Sequence, residues 1–248
     1  MKAAVVGGTG VVGRHVVDGL RAAGHEAAVL ARSTGVDVKS GEGLDAAVAG
    51  CQVLIDVSNV QALGRSASEK FFRAATTNLL EAGGRAGVEH LVILSIVGCD
   101  RVDLGYYWGK RLQEEIALGG ALPASVLRAT QFHEFPAQLV DRSPGGPILA
   151  APRMRSQPLA AREAAQALVE VAIGEPAGMV GDIAGPEVHE MPDLVRLVLR
   201  ARSSRRIVVP ARMPGATGKA LAGGGLLPDG DGPRGTQTFA EWLAAETR

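Results

Sequence analysis

The sequence predicts an α/β protein in which a doubly wound parallel sheet carries helices on both faces. Short apolar runs, typical of strands that are buried on both sides, alternate with longer runs of helical period. Several glycines stand where the first apolar run meets the first helical run. The strand–helix order repeats through the first half of the chain, and this repetition is the pattern of βαβ units.

The first half of the chain divides into alternating strands and helices. The apolar runs predict strands over 3–7, 26–31, 51–58, 90–98 and 124–129. The helical period predicts helices over 11–24, 66–87 and 106–118. Gly24 is placed to end the first of these helices, and Ser66 with Glu69 has the spacing of a capping box at the start of the second.

The alternation breaks after Phe135. Residues 141–158 are rich in Pro, Gly and Arg and are predicted to form a loop. The Gly-rich stretch 214–235 is predicted to be a lid or a partly disordered segment. The pattern predicts the remaining elements of this half as helices over 161–173, 191–201 and 236–246 and a strand over 180–184.

Composition and charge narrow the classes of function. The 26 basic and 26 acidic residues give no net charge, so no nucleic-acid partner is expected. Cys51 and Cys99 are far apart and the sequence shows no secretory signal pattern, so we expect a reduced, cytoplasmic setting. No apolar run reaches the ~18 residues of a membrane span, so no membrane association is expected. The histidines are scattered, so no metal site is expected.

The glycines after the first strand predict a site for a dinucleotide. Gly7, Gly10 and Gly13 have the spacing G-x-x-G-x-x-G between a strand and a helix. The first allows a tight turn, the second lets a pyrophosphate approach the backbone, and the third lets the helix pack closely on the sheet. The helix N-terminus offers unpaired N–H groups to the phosphates. A plain strand–turn–helix is the alternative, but position, spacing and flanking runs favour a Rossmann-type nucleotide site.

The end of the second strand favours NADP over NAD. Dinucleotide folds that prefer NAD place a carboxylate there to bind the ribose 2′-hydroxyl. This sequence has Arg32, followed by Ser33 and Thr34. A guanidinium suits a 2′-phosphate through its charge and its paired N–H donors, and Arg14 could assist. The alternative is a solvated arginine at a strand end.

Tyr106 and Lys110 are the first candidates for chemistry. They are four residues apart at the start of a predicted helix, so their side chains share one face. An ammonium beside the phenol would lower the pKa of Tyr106 from its usual value of about 10. Tyr106 would then be a proton donor to a carbonyl, and Lys110 could also hold the nicotinamide ribose.

Six stretches together resemble the atypical, NmrA-like branch of the short-chain dehydrogenase/reductase family. They cover about 1–135 in order: "GGTGVVGRHVV", "LARS", "LIDVSN", "TTNLLEAGGRAGVEHLVILSIVG", "GYYWGKRLQEE" and "LRATQFHEF". The resemblance implies a Rossmann core over 1–135 that binds NAD(P)H. It also implies a small substrate-binding or lid region over 136–248, interleaved with the core rather than independent.

The resemblance also implies the roles of individual residues. Tyr106 and Lys110 match the active pair, and Ser95 lies just before the place of the family's catalytic Ser or Thr. That place holds Ile96 and Val97, and Arg73 stands where the family has an active-site Asn. The residues that match cofactor contacts are Gly7, Thr9, Gly10, Val11, Val12, Gly13, Arg32, Ser33, Val57, Ser58, Asn59, Lys110, Thr130 and Phe132.

These observations favour an NADPH-dependent oxidoreductase that reduces a small carbonyl, enone or quinone-like compound. The Tyr106–Lys110 pair favours an enzyme. The apolar Ile96 and Val97 favour the alternative, a non-catalytic NADP-binding sensor of redox state. An epimerase or dehydratase with tightly held cofactor is less favoured, because the chain is short for a sugar-nucleotide domain. A small-molecule substrate is the expected partner, and a monomer or homodimer the expected assembly.

Overall fold

The computed structural model describes residues 1–60 and 64–246. The strands are β1 (Lys2–Val6), β2 (Glu26–Leu30), β3 (Val53–Asp56), β4 (His90–Ile96), β5 (Ala124–Ala129), β6 (Ile148–Pro152), β7 (Arg155–Ser156), β8 (Gly178–Ile183), β9 (His189–Glu190) and β10 (Ile207–Ala211). The helices are α1 (Gly13–Ala22), α2 (Leu44–Val48), α3 (Arg65–Ala86), α4 (Gly105–Leu118), α5 (Glu134–Arg142), α6 (Ala161–Ile173), α7 (Met191–Ala201), α8 (Gly215–Ala222) and α9 (Phe239–Glu246).

The central sheet confirms the predicted fold class. In the described part of the chain, six strands pair in the order β2-β1-β3-β4-β5-β8, and every pairing is parallel. Val6 lies opposite both Leu30 and Asp56, so the carboxyl ends of β1, β2 and β3 meet at one edge. The strand order reverses at β1, which makes the crevice beside β1 and β3 the topological switch point where such sheets bind ligands.

Helices cover both faces of the sheet. On one face, α1 and α6 pack against it and against each other, with Val16 and Leu168 fully buried. On the other face, α2, α3 and α4 surround a second buried core, to which α3 contributes Leu79 and α4 contributes Ala117. Because both faces are covered, the strands carry continuous apolar runs, and this is why their sequences lack polar alternation.

The C-terminal half supplies part of this sheet and builds a third core. β8 forms the sixth strand, which confirms the strand predicted over 180–184. The helices predicted over 161–173 and 191–201 are present as α6 and α7. Around α5 and α7 a separate apolar cluster encloses Tyr107, Met191 and Phe239.

Two predictions for the second half are wrong. Residues 141–158 contain β6 and β7, and β6 pairs in parallel with β10, a strand absent from the predicted elements. The alternation predicted to break after Phe135 continues with α5. The Gly-rich stretch 214–235 contains α8, and its role as a lid remains a prediction. Pro and Gly in the flanking turns hid β6, although its residues alternate strictly between exposed and buried from Ile148 to Ala151.

The structure confirms one predicted helix terminus and contradicts another. Gly24 follows α1 with φ +80°, a left-handed conformation that glycine adopts freely, and this confirms the predicted end. The predicted capping box of Ser66 and Glu69 is wrong, because α3 begins one residue earlier at Arg65. Glu69 instead accepts a hydrogen bond from Arg65 Nε at 2.8 Å, so it pairs with the first turn as an ordinary i, i+4 partner.

A close contact between α3 and α4 sets the position of the first turn of α4. Ser68 is fully buried, and its hydroxyl donates to the backbone carbonyl of Tyr106 at 2.9 Å. Gly109 faces the same point, where an added Cβ would overlap Ser68 Oγ and lie 2.7 Å from Phe72 Cδ2. Glycine at 109 therefore lets the two helices approach closely enough for the Ser68 bond to form.

We expect Gly109→Ala to destabilise the protein and the control Gly84→Ala to leave its stability unchanged or slightly improved. The methyl group at 109 forces α3 and α4 apart, and overpacking of this kind costs about 1–3 kcal/mol. Gly84 lies on exposed helix with no atom within 4 Å of an added Cβ, so Ala should gain about 0.5 kcal/mol there. Urea unfolding midpoints at constant m-value measure both changes. Equal shifts in the two variants would contradict this account of the helix contact.

Candidate functional site

The glycine loop after β1 is built around close backbone contacts. Gly7 leaves the strand with φ +76°, and its N–H donates to Leu30 O at 2.8 Å, which ties the turn to β2. Gly10 N–H donates to Gly7 O at 2.9 Å and closes the turn. Gly13, the first residue of α1, packs so closely on this turn that a Cβ would overlap Gly7 O and lie 2.7 Å from Gly8 Cα. Glycine at 13 therefore lets α1 begin against the sheet, as predicted.

The outer side of the loop is open and fits an anion. Thr9 and Gly10 are exposed, Val11 is half-buried, and Val12 is buried at the N-cap of α1. An added Cβ at Gly10 would meet Gly7 O at 3.2 Å and no other atom of the described residues within 4 Å. Within those same residues, no side chain caps the first N–H groups of α1. Arg14 N–H donates to Gly10 O at 3.2 Å, and the start of this ten-residue helix otherwise offers uncapped N–H groups of the kind that bind phosphate.

Arg32 and Ser33 lie at the end of β2, next to the loop. They form a single 3₁₀ turn with Thr34, whose hydroxyl donates to Ala31 O at 2.8 Å and accepts from Ala31 N at 3.0 Å. The turn is thereby fixed while Arg32 remains exposed. Across residues 1–60 and 64–246, Arg32 has no ion pair with a carboxylate. Its guanidinium is free to bind an anion.

Residues 57–59, which follow β3, form a third wall of the site, beside the glycine loop and the turn that carries Arg32. Val57 N–H donates to Val6 O, and Ser58 N–H donates to Asp56 Oδ1 at 2.8 Å. Ser58 N and Cα lie 3.1 Å from the position of a Cβ on Gly7, so this wall touches the glycine loop directly. The Ser58 hydroxyl is buried and, in the part of the chain that the structure describes, lacks a hydrogen-bond partner. An unsatisfied hydroxyl here is what a bound polar ligand would complete.

Tyr106 lies in the first turn of α4 and bonds to this third wall. Its hydroxyl donates to Asn59 Oδ1 at 2.7 Å, and its ring contacts the Phe72 ring edge at a centroid distance of 5.9 Å. Burial raises the pKa of Tyr106 well above its ordinary value, and Tyr107, Asp56 and Cys99 add to the shift. The predicted lowering of this pKa is therefore wrong for the structure as it stands, and the phenol stays protonated.

The pKa of Tyr106 is not lowered, because the Lys110 ammonium bonds to groups other than the phenol. Its side chain is buried, and Nζ donates to Leu94 O at 2.7 Å and to Gln113 Oε1 at 2.5 Å. Nζ also lies 4.7 Å from the centre of the Phe72 ring. Burial lowers the pKa of Lys110 to about 8, although the neighbouring Asp56, Cys99 and Glu114 act to raise it. Two of the three N–H donors of the ammonium are thus bonded to the protein interior, and neither bond goes to the phenol of Tyr106.

Ser95 lies in a different cluster. It is 2% exposed, and its hydroxyl is 4.0 Å from Cys99 Sγ. Cys99 in turn donates to Glu114, which is paired in a bidentate manner with Arg128 at 2.8 and 2.6 Å. Burial raises the pKa of the Cys99 thiol to about 11, so the thiol is neutral. The structure therefore groups Ser95 with a buried ion pair and does not bring its hydroxyl to Tyr106.

Thr130 and Phe132 follow β5 at the same edge of the sheet. The Thr130 hydroxyl is buried and donates to Gln157 O at 2.6 Å, so its hydrogen is already used. Phe132 is half-buried and bridges to Leu159 in parallel. Both residues therefore join β5 to the segment before α6, and the Phe132 ring keeps an accessible surface.

Sequence reasoning missed two residues at the site. Asp56 and Gln113 are buried and bonded to each other, with Gln113 Nε2 donating to Asp56 Oδ2 at 2.8 Å. A signal for Asp56 existed, because a carboxylate at the end of the apolar run "VLID" must find a partner when buried. Gln113 offered none, since its partner is 57 positions away in the sequence.

The comparisons with known proteins agree with this geometry. Residues 3–97 match the family model of the NAD dependent epimerase/dehydratase family. A short-chain dehydrogenase/reductase superfamily protein from Agrobacterium tumefaciens with bound NAD is similar over 100% of this chain and 96% of that chain, at TM-score 0.70 and 18% identity. The chain has the fold of the short-chain dehydrogenase/reductase superfamily. The resemblance seen in the sequence is confirmed at the level of the fold, and the NmrA-like branch remains a prediction.

Other structures of this superfamily fold differ in what they act on. A double mutant of DesIV, a dTDP-glucose 4,6-dehydratase from Streptomyces venezuelae with NAD and DAU bound, has TM-score 0.75 at 17% identity, over 100% of this chain and 96% of that chain. QOR2 of Escherichia coli, an NADPH-dependent quinone oxidoreductase, has TM-score 0.68 at 16% identity, over 99% and 100%. No curated protein sequence matches the chain. At these identities the likeness concerns the fold alone.

Residues 1–60 and 64–246 lack two kinds of feature, a membrane-spanning helix and a cluster of metal-binding side chains. No helix in these ranges is long and apolar enough to cross a lipid bilayer. In the same ranges, no group of three or more His, Cys, Asp or Glu side chains is arranged to hold a metal ion.

We expect Lys110→Met to change the pH dependence of stability in a defined window. The folded pKa of about 8 lies below the unfolded value of 10.5, so the unfolded chain binds more protons between these values. Wild-type stability should therefore rise with pH from about 8, until Cys99, with its raised pKa, opposes the rise above pH 9. Methionine carries no charge, so the variant should lose the rise. Urea unfolding at pH 7, 8, 8.5 and 9 tests this, and parallel curves for the two proteins would contradict it.

Proposed function

We propose that the protein is an NADPH-dependent oxidoreductase that reduces a small carbonyl, enone or quinone-like compound. The observation that carries the proposal is the hydrogen bond of 2.7 Å from Tyr106 to Asn59. Asn59 follows directly on Ser58, which packs against the glycine loop. A protonated phenol therefore stands at the same sheet edge as the cradle for a dinucleotide. QOR2, an NADPH-dependent quinone oxidoreductase, shows that this fold can carry such an activity.

The residues of the glycine loop and of β2 fit the cofactor. Gly10 and the free N–H groups of α1 would bind the pyrophosphate. Arg32, with Ser33, would bind the 2′-phosphate of the adenosine ribose, because no carboxylate follows β2 to bind a 2′-hydroxyl. The buried hydroxyl of Ser58 would gain a partner on the ribose side. When bound, the cofactor supplies the hydride that reduces the carbonyl carbon.

Tyr106 supplies the proton that completes the reduction. As the carbonyl is reduced, its oxygen would accept the phenolic proton of Tyr106 and become the hydroxyl of the alcohol. A raised pKa keeps the phenol protonated at neutral pH, and a developing alkoxide is basic enough to accept its proton. Asn59 holds the hydroxyl until a substrate oxygen replaces the amide oxygen as its acceptor.

The region 136–248 provides surfaces beside Tyr106 for a substrate. Tyr106 packs against the third core, to which α7 and α8 contribute. α8 is tied to the loop before α4 by the Thr217 hydroxyl, which donates to Asp103 O at 3.0 Å. We therefore assign substrate specificity to this region, while 1–135 binds the cofactor.

A second candidate is a non-catalytic NADP-binding sensor. Ser95 lies in the Cys99–Glu114 cluster, and the apolar Ile96 and Val97 stand where the resemblance implies a hydroxyl. Both observations favour the sensor. NADPH oxidation against a panel of quinones, aldehydes, ketones and enones separates the two, because steady turnover of any member excludes a pure sensor. Tight NADPH binding without turnover would favour the sensor. UDP- and dTDP-sugars belong in the panel as a test for epimerase or dehydratase chemistry.

We expect Arg32→Ala to weaken NADPH binding by about ten- to a hundredfold and to leave NADH binding nearly unchanged. A lost charge-assisted contact costs roughly 1.5–3 kcal/mol, which corresponds to this range of affinity. Calorimetric titration with both cofactors measures the effect. Arg73→Ala, which removes an exposed arginine on α3, serves as the control for loss of one positive charge. Equal weakening of NADPH and NADH would overturn the assignment of Arg32.

We expect Tyr106→Phe to lower the rate of carbonyl reduction by about 10²–10⁴-fold, with little change in NADPH affinity. The change keeps the ring and removes only the proton donor, and acid catalysis contributes this range of rate. Tyr107→Phe is the matched control, because Tyr107 is the neighbouring buried tyrosine and has no role in the proposed reaction. The assay should use an aldehyde, ketone or enone, since water can protonate a reduced quinone. An unchanged rate in Tyr106→Phe would rule out the acid role.

A further inference from the structure

A buried chain of polar side chains lies behind Lys110. Asp56 Oδ2 accepts from Gln113 Nε2 at 2.8 Å, and Gln113 Oε1 accepts from Lys110 Nζ at 2.5 Å. Lys110 Nζ also donates to Leu94 O at 2.7 Å. The exposed fractions of Asp56, Gln113 and Lys110 are 1%, 0% and 3%. Solvent therefore contributes little to holding the ammonium, and the protein interior must satisfy it.

The chemistry of the two neighbours fixes the orientation of the Gln113 amide. The NH₂ group faces a carboxylate and the carbonyl oxygen faces an ammonium. The flipped amide would place oxygen against the carboxylate and NH₂ against the ammonium, and both contacts would be repulsive. The other oxygen of Asp56 accepts from Ser58 N–H at 2.8 Å. Asp56 and Gln113 thus join Lys110 to the wall that packs on the glycine loop.

We propose that Gln113 and Asp56 are positioning residues that hold the Lys110 ammonium in place for the cofactor. In this chain Arg73, Ile96 and Val97 stand where the resemblance implies polar residues of the active site. Gln113 and Asp56 are polar groups that this site has instead. The inference rests on the proposed function and on the role that the resemblance implies for Lys110, which is to bind the nicotinamide ribose, here through the N–H that Leu94 O and Gln113 Oε1 leave over. It adds two residues to that site, at the third strand and at the fourth helix.

The titratable groups that face Lys110 show why Gln113 and Asp56 are needed to hold its ammonium. Asp56 faces it from β3, Cys99 from the turn after β4, and Glu114 from α4. The Glu114 carboxylate is already bonded to Arg128, and the Cys99 thiol is neutral because of its raised pKa. The carboxylate that remains to support the ammonium is that of Asp56, and it acts through the Gln113 amide. From α3, the Phe72 ring adds a cation–π contact at 4.7 Å.

We expect substitutions of this pair to move the pH at which NADPH binding weakens. In the wild type, the dissociation constant should rise up to about tenfold per pH unit above the pKa of Lys110, which is about 8. Gln113→Leu removes the amide oxygen, and Asp56→Asn removes the charge behind it. Both should lower this midpoint by about one pH unit, because the ammonium loses support. At pH 7.5 the affinity should then fall several-fold.

The conservative change Gln113→Glu should not lower the midpoint. When protonated, the introduced carboxyl group can donate to Asp56 and accept from Lys110, as the amide does. When ionised, it adds a negative charge beside the ammonium and raises the pKa of Lys110. Gln166→Leu is the matched control, since its amide donates to Glu170 at 3.2 Å on the exposed side of α6. Its midpoint should equal that of the wild type.

Two measurements separate this inference from the proposed function. NMR titration of the Lys110 ε-carbon in the cofactor-free protein, assigned by its absence in Lys110→Met, reports the pKa of the ammonium directly. Calorimetry reports the pH dependence of NADPH affinity. If NADPH fails to bind the wild type, the proposed function fails, while lowered Lys110 pKa values in Gln113→Leu and Asp56→Asn still establish the support of the ammonium. An unchanged Lys110 pKa in both variants would overturn the inference, and so would a Gln113→Glu midpoint as low as that of Gln113→Leu.

Discussion

The carbonyl oxygen of Gly7 is the point around which the nucleotide-binding edge is arranged. It accepts the N–H of Gly10, and α1 starts so close to it that Gly13 has no room for a side chain. On its other side, Gly7 touches the backbone of Ser58. One turn therefore sets the spacing between the first helix, the first strand and the wall that carries Asn59. A side chain at either glycine would separate the candidate nucleotide cradle from Tyr106.

The chemistry at this edge depends on polar groups that reach across the sheet. Tyr106 from α4 bonds to Asn59 after β3, and Gln113 from α4 bonds to Asp56 at the end of β3. Two turns of one helix are thus anchored on one strand end. A second polar group, of Ser95, Cys99, Glu114 and Arg128, extends to Asp100 and supports the packing between α4 and β5. The interior therefore separates a group bonded to the site from a group that stabilises the fold.

Much of the fold could be predicted because its signals are local. The glycine spacing, the apolar runs and the end of α1 at Gly24 each depend on a few neighbouring residues, and the structure confirms them. The strand β6 was missed because its pairing with β10 joins residues about 59 positions apart, as Ile148 and Ile207 show. Turn residues around it dominated the local pattern.

The candidate site was predictable only in part, for the same reason. The spacing of Tyr106 and Lys110 is visible in the sequence, but the direction of each side chain depends on distant partners. Lys110 turns inward because Leu94 O and Gln113 complete its bonds there, so the expected effect on the phenol is absent. Ser95 follows the alternation of its strand, and this alternation directs it toward Cys99. Local sequence thus identified the reactive groups, whereas long-range packing decided their neighbours.

The bond from Tyr106 to Asn59 bears on which ligands the site can select. An amide oxygen is a strong acceptor, and it already satisfies the phenol at 2.7 Å. A ligand gains from the phenol only if its own oxygen accepts a hydrogen bond at least as well, because the exchange otherwise leaves a poorer bond than before. Asn59 thereby sets a threshold of acceptor strength. The oxygens of ethers and of resting ketones, enones and quinones fall below it, whereas a carbonyl oxygen that gains negative charge as its carbon is reduced exceeds it, so the phenol is exchanged most favourably at that moment.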